Sequence, residues 1–136
     1  MTHATHDLVR MFFATMAGAK LNPDLFTEDF TAWTNSNAVD IPGEKYLGGV
    51  KMLQSLFPGG LHYTVDAVFA EGDRAGTEVH SHGVLHTGEE FGNNYAYTFV
   101  IRDGKIAALR EYFNPIPVVE KIVPLMQAAM AAKAAG

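Results

Sequence analysis

The chain has 136 residues, 48% of them hydrophobic, which is enough to bury one substantial core. We therefore expect residues 1–136 to form a single domain. The net charge of −5 and the absence of a lysine or arginine cluster argue against nucleic acids and anionic membranes as partners. The chain has no cysteine, which excludes a disulfide framework, Cys-ligated zinc and a thiol nucleophile.

The start of the sequence shows no secretory pattern, because Asp7 and Arg10 interrupt any apolar run. No stretch is long and apolar enough to span a bilayer. A cytoplasmic location is the default expectation.

The first half of the chain has mainly helical patterns. Apolar residues at helical spacing, among them Leu8, Phe12 and Met16, predict a first helix that ends near Gly18. The next predicted elements are a short helix from Asn22-Pro23 through Glu28, a strand at 30–35, a loop at 36–43 and a helix at 44–57 weakened by Gly48 and Gly49.

The second half has mainly strand patterns. The predicted elements are strands at 61–70 and 76–86, two long strands within 93–114, a helix at 118–130 kinked at Pro124 and a frayed tail at 131–136. Helices followed by an antiparallel sheet and a closing helix define an α+β layer fold.

Two pairings are open for the strands within 93–114. A two-residue Asp-Gly turn pairs Arg102 with Lys105 and places Glu111 opposite Ala96. A three-residue turn with a G1 bulge pairs Ile101 with Lys105 and places Glu111 opposite Tyr95. We favour the second pairing, because it collects one apolar face: Tyr95, Tyr97, Phe99, Leu109, Glu111 and Phe113. The opposite face then carries Asn94, Thr98, Ala108 and Arg110.

Glu111 is the candidate catalytic acid or base. A carboxylate set among aromatic rings loses solvation, which raises its pKa toward the range that general acid–base catalysis needs. The alternative is that Glu111 reaches the sheet edge and pairs with Arg110 or Lys105 in water.

A run of alternating polar residues precedes this hairpin. Glu78, His80, His82, Val84 and His86 share one face of a strand. If that face is concave, His80 and His82 lie roughly 6.6 Å apart in the same space as Glu111, which predicts a His–Glu dyad. The alternative is a solvated sheet face.

The same histidines support a second hypothesis. The segment H-S-H-G-V-L-H resembles a cupin metal site in part, with His80 and His82 as two ligands. A metal-dependent enzyme is therefore the alternative to chemistry without a cofactor or metal.

The run Y-A-Y-T-F-V-I-R-D-G-K-I-A-A-L-R-E-Y-F-N, with F-T-E-D-F-T-A-W before it, resembles the nuclear transport factor 2-like superfamily, which includes SnoaL-like and ketosteroid isomerase-like proteins. The resemblance covers Leu8 to about Val119. It implies a cone of curved antiparallel sheet wrapped on helices around a deep apolar pocket. It also implies a homodimer through the convex sheet face.

Compared with the ketosteroid isomerases, the resemblance places Phe12 at the helix-1 tyrosine that donates to the substrate. The general base falls near Thr34 or Asn35, and the oxyanion-hole acid falls near Tyr97. Most of the isomerase apparatus is therefore absent. Asp40 is a candidate substitute base, and the alternative is that it serves only the turn chemistry of its loop. In the dehydratase branch, the catalytic histidine matches His62, without its aspartate partner.

The limonene-epoxide hydrolase branch matches the site pattern better. Its catalytic aspartate corresponds to Glu111, its second aspartate to His80 and its arginine to Glu78. The residues that position water correspond to Trp33 and Asn35.

These patterns predict a small-molecule enzyme that performs acid–base chemistry, such as isomerisation, cyclisation, dehydration or hydrolysis. The predicted catalytic residues are Glu111, His80, Asn35 and Tyr97. The predicted substrate-binding residues are Phe12, Trp33, Tyr46, Tyr63, His82, Tyr95, Phe99, Leu109 and Phe113. Such a lining suits an apolar or aromatic ligand that bears oxygen. The alternative is a binder of the same ligand without catalysis.

Overall fold

A computed structural model describes the backbone of residues 2–135 and the side chains of residues 4–135. The helices are α1 (Thr2–Ala14), α2 (Gly43–Gln54), a short α3 (Pro115–Pro117) and α4 (Val123–Ala135). The strands are β1 (Phe26–Thr34), β2 (Asp40–Pro42), β3 (His62–Glu71), β4 (Arg74–Val84), β5 (Glu90–Arg102) and β6 (Lys105–Phe113). They form one curved sheet in the order β2-β1-β6-β5-β4-β3. Only the β1–β6 pair is parallel, and the predicted α+β class is confirmed.

The first departure from the predicted elements follows Asn22. Its side chain accepts a hydrogen bond from the Asp24 amide at 2.9 Å, which confirms the N-cap. The helix through Glu28 is nevertheless wrong, because only one 3₁₀ turn forms before β1 starts at Phe26. Phe26 and Phe30 are both buried with their rings 4.4 Å apart, and this packing overrides a weak local helix signal.

The predicted loop at 36–43 contains β2, which pairs with the end of β1. Helix α2 follows without a break and begins at Gly43. A Cβ atom at Gly43 would come within 2.0 Å of the Phe30 ring. Glycine therefore lets α2 lie close against β1, which brings the face of α2 that carries Tyr46 over the sheet.

The turn of the central hairpin has two residues. Asp103 and Gly104 both have positive φ, 55° and 72°, so Arg102 lies opposite Lys105. This is the geometry of a type I′ turn, for which Asp-Gly is a preferred sequence. The three-residue turn that we favoured from the sequence is therefore wrong.

A bulge at Ala107 then changes the register of this hairpin. Ile101 still pairs with Ile106, but Val100 pairs with Ala108, and Glu111 consequently lies opposite Tyr97. Neither pairing considered from the sequence has this partner. The predicted face of Glu111 is nevertheless correct. The turn is one residue shorter than we expected, which alone would move Glu111 to the other face, and the extra residue of the bulge returns it to the face of Tyr97.

The C-terminal segment is helical to the end of the described chain. It begins at α3, capped by Asn114, and passes through a π-helical turn at Val118–Ile122 into α4. The wide turn precedes Pro124, whose missing N–H is tolerated in the first turn of α4. Residues 131–135 continue α4, so the predicted frayed tail is wrong for them, and Gly136 lies outside the described residues.

Two hydrophobic clusters fill the fold. The larger one lies between the sheet, α1 and α2 and includes Phe12, Phe13, Tyr97 and Phe99. The smaller one includes Leu56, Phe57, Leu61, Leu85, Phe91 and Ile122. The second cluster attaches the C-terminal segment to the start of β5 and to the residues that flank β3 and β4. Over residues 2–135, no helix is long and apolar enough to cross a membrane.

Candidate functional site

A cavity of about 440 Å³ lies between the concave face of the sheet, α2 and the C-terminal segment. Its volume falls within the usual range for small-molecule sites. The lining residues are Met16, Thr34, Ser36, Asn37, Ile41, Lys45, Tyr46, Gly49, Val50, Leu53, Tyr63, Phe91, Tyr95, Glu111, Phe113, Val118, Ile122 and Met126. Glu111 is the single acidic residue of this lining.

Glu111 projects from β6 into the cavity and meets α2 there. Tyr46 donates a hydrogen bond from its hydroxyl to Glu111 Oε1 at 2.8 Å. The side chain is half-buried because it borders the cavity, while its carboxyl group lies deep inside the protein. Burial raises the pKa of Glu111 above its ordinary value of 4.5, and the hydroxyls of Tyr46 and Tyr97 offset part of that rise.

Two further tyrosines line the cavity beside this carboxylate. Tyr95 and Ser81 share a hydrogen bond of 2.9 Å between their hydroxyls, and the rings of Tyr63 and Tyr95 are 5.3 Å apart. Burial raises the pKa of Tyr95 to about 12 and that of Tyr63 well above its usual range. Both phenols therefore stay protonated near neutral pH and can donate hydrogen bonds to a ligand oxygen.

Tyr97 lies directly behind this site. It is 1% exposed, and its ring packs against Phe13 at 4.8 Å and stacks on Phe99. Its hydroxyl meets no hydrogen-bond partner in the described chain, although it lies close enough to Glu111 to lower the pKa of that carboxyl group. Tyr97 therefore influences the pKa of Glu111 from the hydrophobic core and does not line the cavity.

The structure divides the residues predicted from the sequence into three groups. Those that line the cavity are Tyr46, Tyr63, Tyr95, Glu111 and Phe113. Those buried in the core behind it are Phe12, Tyr97, Phe99 and Leu109. Those outside it are Trp33, Asn35, His80 and His82.

The predicted pairing of His80 with Glu111 is not present. The inward positions of β4 are Thr77, Val79, Ser81 and Gly83, and His80 lies on the opposite face with its side chain 47% exposed. Its Nδ1 is 2.8 Å from Asp66 Oδ2. His80 lies opposite Asn94 and Val79 opposite Tyr95. Directly paired residues share a face of the sheet, so Val79 points inward together with Tyr95. The neighbouring His80 therefore points outward, and so does His82.

The metal hypothesis fails on the same geometry. His82 is exposed and lies 3.4 Å from Glu90. Within residues 2–135, no group of three histidine, aspartate or glutamate side chains is placed to hold a metal ion. The substitute candidates also lie elsewhere: His62 contacts the Gly59 carbonyl at 2.8 Å, and Asp40 is exposed on β2.

Asn35 and Trp33 have structural contacts outside the cavity. The Asn35 amide donates to the Phe113 carbonyl at 3.0 Å and accepts from the Phe113 N–H at 3.3 Å, which joins the ends of β1 and β6. The Trp33 ring packs 5.1 Å from that of Tyr112, and the Arg110 guanidinium lies 4.7 Å above it. Neither residue is placed to position water at Glu111.

Several lining residues escaped the sequence analysis. On α2, Gly49 and Leu53 follow Tyr46 at i+3 and i+7 and could have been found from it, whereas Lys45 is its neighbour in sequence and could not. The C-terminal wall, formed by Val118, Ile122 and Met126, had no such signal. Its apolar residues are typical of any surface helix.

The fold and site define a class of protein: an NTF2-like cone with an apolar cavity. A family model for the SnoaL-like domain matches residues 5–109, and the chain belongs to this family. A comparison with curated protein sequences finds no significant match.

Solved structures share the fold at low sequence identity. AclR, a candidate hydroxylase from Streptomyces galilaeus, has a TM-score of 0.78 and 15% identity over 88% of this chain and 96% of that one. A candidate SnoaL-like polyketide cyclase from Jannaschia sp. CCS1 gives 0.74 and 20%, over 89% and 92%. An LEH-like epoxide hydrolase from M. tuberculosis gives 0.70 and 16%, over 96% and 98%.

Proposed function

We propose that this protein is an enzyme that moves a proton on an apolar substrate bearing a carbonyl oxygen, with Glu111 as the acid–base group and no cofactor. The observation that carries the proposal is the Glu111 carboxylate, held by Tyr46 inside a largely apolar cavity that tyrosines help to line. A buried carboxylate with a raised pKa is a competent base for a weakly acidic C–H bond.

The reaction needs a hydrogen-bond donor as well as a base. Glu111 takes a proton from the carbon beside the carbonyl, and the C–H electron pair moves onto the carbonyl oxygen. Tyr63 or Tyr95 donates a hydrogen bond to the enolate that forms. Tyr95 is one inward position along β5 from Tyr97, which lies opposite Glu111, so Tyr95 and Glu111 are diagonal neighbours on the inner face with backbone positions roughly 7–8 Å apart.

The enolate can then follow two courses within this site. Return of the proton from Glu111 to a different carbon gives an isomer. Attack of the enolate carbon on a second carbonyl of the same substrate forms a carbon–carbon bond and closes a ring, and Glu111 returns its proton to the new alkoxide. The similar structures include a candidate polyketide cyclase, which supports the second course without deciding it.

The hydrolytic alternative has less support. The limonene-epoxide hydrolase pattern needs two acids and an arginine around one cavity. Here the position matched to the second aspartate, His80, is on the outer face, and Glu78 beside it is exposed as well. Glu111 is the one element of that pattern that lines the cavity.

The test is exchange of α-protons for deuterium in D₂O, followed by NMR over a panel of bicyclic ketones such as 2-tetralone. Glu111→Gln should lower the exchange rate at least about 100-fold, because it removes the base and keeps the shape. The rate in the wild-type protein should rise with pH through the raised pKa of Glu111, because the charged form is the base.

The matched control is His80→Ala, which should leave the exchange rate unchanged because His80 lies on the outer face. Exchange that persists in Glu111→Gln contradicts the proposal. Ketones that bind, by fluorescence or NMR shift, with no Glu111-dependent exchange would instead establish the non-catalytic binder.

We also propose that two copies associate through the outer face of the sheet. This face carries exposed aromatic side chains, among them Phe69 at 59% and Tyr112 at 37% exposure, with Trp33 beside Tyr112. Exposed apolar groups on a broad sheet are typical of a protein interface.

A further inference from the structure

One side chain of the cavity wall has no role in the chemistry above. Lys45 lies in the first turn of α2, one residue before Tyr46, and it lines the cavity at its exposed rim. It is the single basic residue in the lining.

Lys45 has no counter-ion in the part of the chain that the structure describes. The ion pairs there join His80 to Asp66, His82 to Glu90, Arg102 to Asp29 and Lys121 to Glu89. Glu111 is not the partner either, because it forms none of these ion pairs and accepts its side-chain hydrogen bond from Tyr46. The ammonium group therefore lies at the cavity rim without a protein anion.

Helix stability does not explain a lysine at this position. The first turn of a helix is the positive end of its dipole, where a cation is mildly unfavourable. Lys51 occupies the last turn of the same helix, where a cation is favourable. A residue that opposes its local electrostatics is often present for function.

The polarity of the cavity changes along α2. The lining residues of this helix run from Lys45 to Leu53, eight positions or about 12 Å. Ser36 and Asn37 line the cavity from the loop between β1 and β2, and β2 leads directly into the first turn of α2. Leu53, at the other end of the helix, lies in the apolar cluster that contains Phe91, Ile122 and Met126.

We propose that Lys45 forms a carboxylate subsite at the rim, so that the natural substrate is an apolar acid rather than a neutral ketone. Its apolar body fills the end near Leu53, the carbon beside its carbonyl lies at Glu111 and its carboxylate pairs with Lys45. A carboxylate would not choose the Glu111 end, because two like charges in one buried site repel each other. This inference depends on the proposed function only for the substrate's carbonyl group. The apolar body and the carboxylate are inferred from the cavity lining.

The test compares an acid with its neutral ester, 2-naphthoic acid and methyl 2-naphthoate, by fluorescence titration at pH 7.5. The wild-type protein should bind the acid about two- to fivefold more tightly, the range expected for one exposed ion pair. Lys45→Met should remove that preference through weaker binding of the acid alone, and Lys45→Arg should retain it. Raised salt should reduce the preference in the wild-type protein and change little in Lys45→Met, which lacks the ion pair.

Lys51→Met is the matched control, since Lys51 is exposed on the same helix and outside the lining. It changes the net charge equally and should leave the preference intact. Equal weakening by Lys45→Met and Lys51→Met would mean a general charge effect and would overturn the inference, as would an equal loss for acid and ester. These titrations need no turnover, so their result is separate from the Glu111-dependent exchange.

Discussion

At the scale of single residues, Glu111 combines a chemical use with a cost in stability. The folded protein removes its carboxylate from water, and Tyr46 donates a hydrogen bond to it at 2.8 Å. Burial raises the pKa of Glu111, so between its ordinary value of 4.5 and the folded value the native state holds a proton that the unfolded state releases. Stability therefore falls as pH rises through that interval, and the loss persists above it.

We expect Glu111→Gln to increase the free energy of unfolding at pH 8 by about 1 kcal/mol, because it removes a buried charge and keeps an acceptor for Tyr46. The increase should largely disappear at pH 4, where the wild-type carboxyl group is mostly protonated in both states. Urea unfolding at the two pH values measures both quantities. Glu78→Gln, at an exposed position of β4, is the control and should change little at either pH. A stability loss at pH 8 would contradict the expected cost of the charge.

At the scale of elements, helix α2 lines the cavity although part of its sequence has low helix propensity. Two adjacent glycines weaken it, and the structure separates their roles: Gly49 lines the cavity, whereas Gly48 does not. A Cβ atom at either position meets nothing within 4 Å. Gly49 therefore leaves cavity space that a side chain would fill.

Leucine at either position should raise the melting temperature by roughly 2–5 °C, because both substitutions remove a helix glycine at an uncrowded site. Only Gly49→Leu should abolish binding of methyl 2-naphthoate, since its side chain enters the cavity. Gly48→Leu is the matched control for helix stabilisation. Thermal unfolding and fluorescence titration of both variants measure the two effects. Equal ligand affinity in the two variants would show that the ligand does not occupy the space beside α2.

At the scale of the whole molecule, the sheet has one face in the core and one exposed face. The exposed face carries the aromatic pair Trp33 and Tyr112 together with the histidines of β4. If two copies meet through it, light scattering should give twice the chain mass of 14.8 kDa. A standard interface of this kind buries about 800 Å² on each copy.

Tyr112→Lys should weaken the association at least about tenfold, because it places a charge in the centre of an apolar contact. Met130→Lys, at a side chain on α4 that is 65% exposed, is the control and should leave the mass unchanged. A wild-type protein that stays monomeric at about 100 μM would refute the dimer, since standard interfaces hold at that concentration.

The sequence by itself determined much of this protein. Alternation placed Tyr95 and Tyr97 on one face of β5 and Leu109, Glu111 and Phe113 on one face of β6, and both sets lie on the inner face. The order of helical and strand patterns gave the α+β class, and the aromatic content anticipated the tyrosines around the carboxylate. These features are local, because they depend on periodicities of a few residues.

The tertiary structure decided the rest. Alternation on β4 shows that the histidines share a face but not which face, and only the pairing of Val79 with Tyr95 turns His80 outward. The bulge at Ala107 sets the partner of Glu111, and contacts with the second core cluster bring Ile122 to the cavity. Each of these outcomes depends on a residue distant in the sequence. A pattern read along one strand is unchanged when that strand is turned over, so periodicity could not have supplied them.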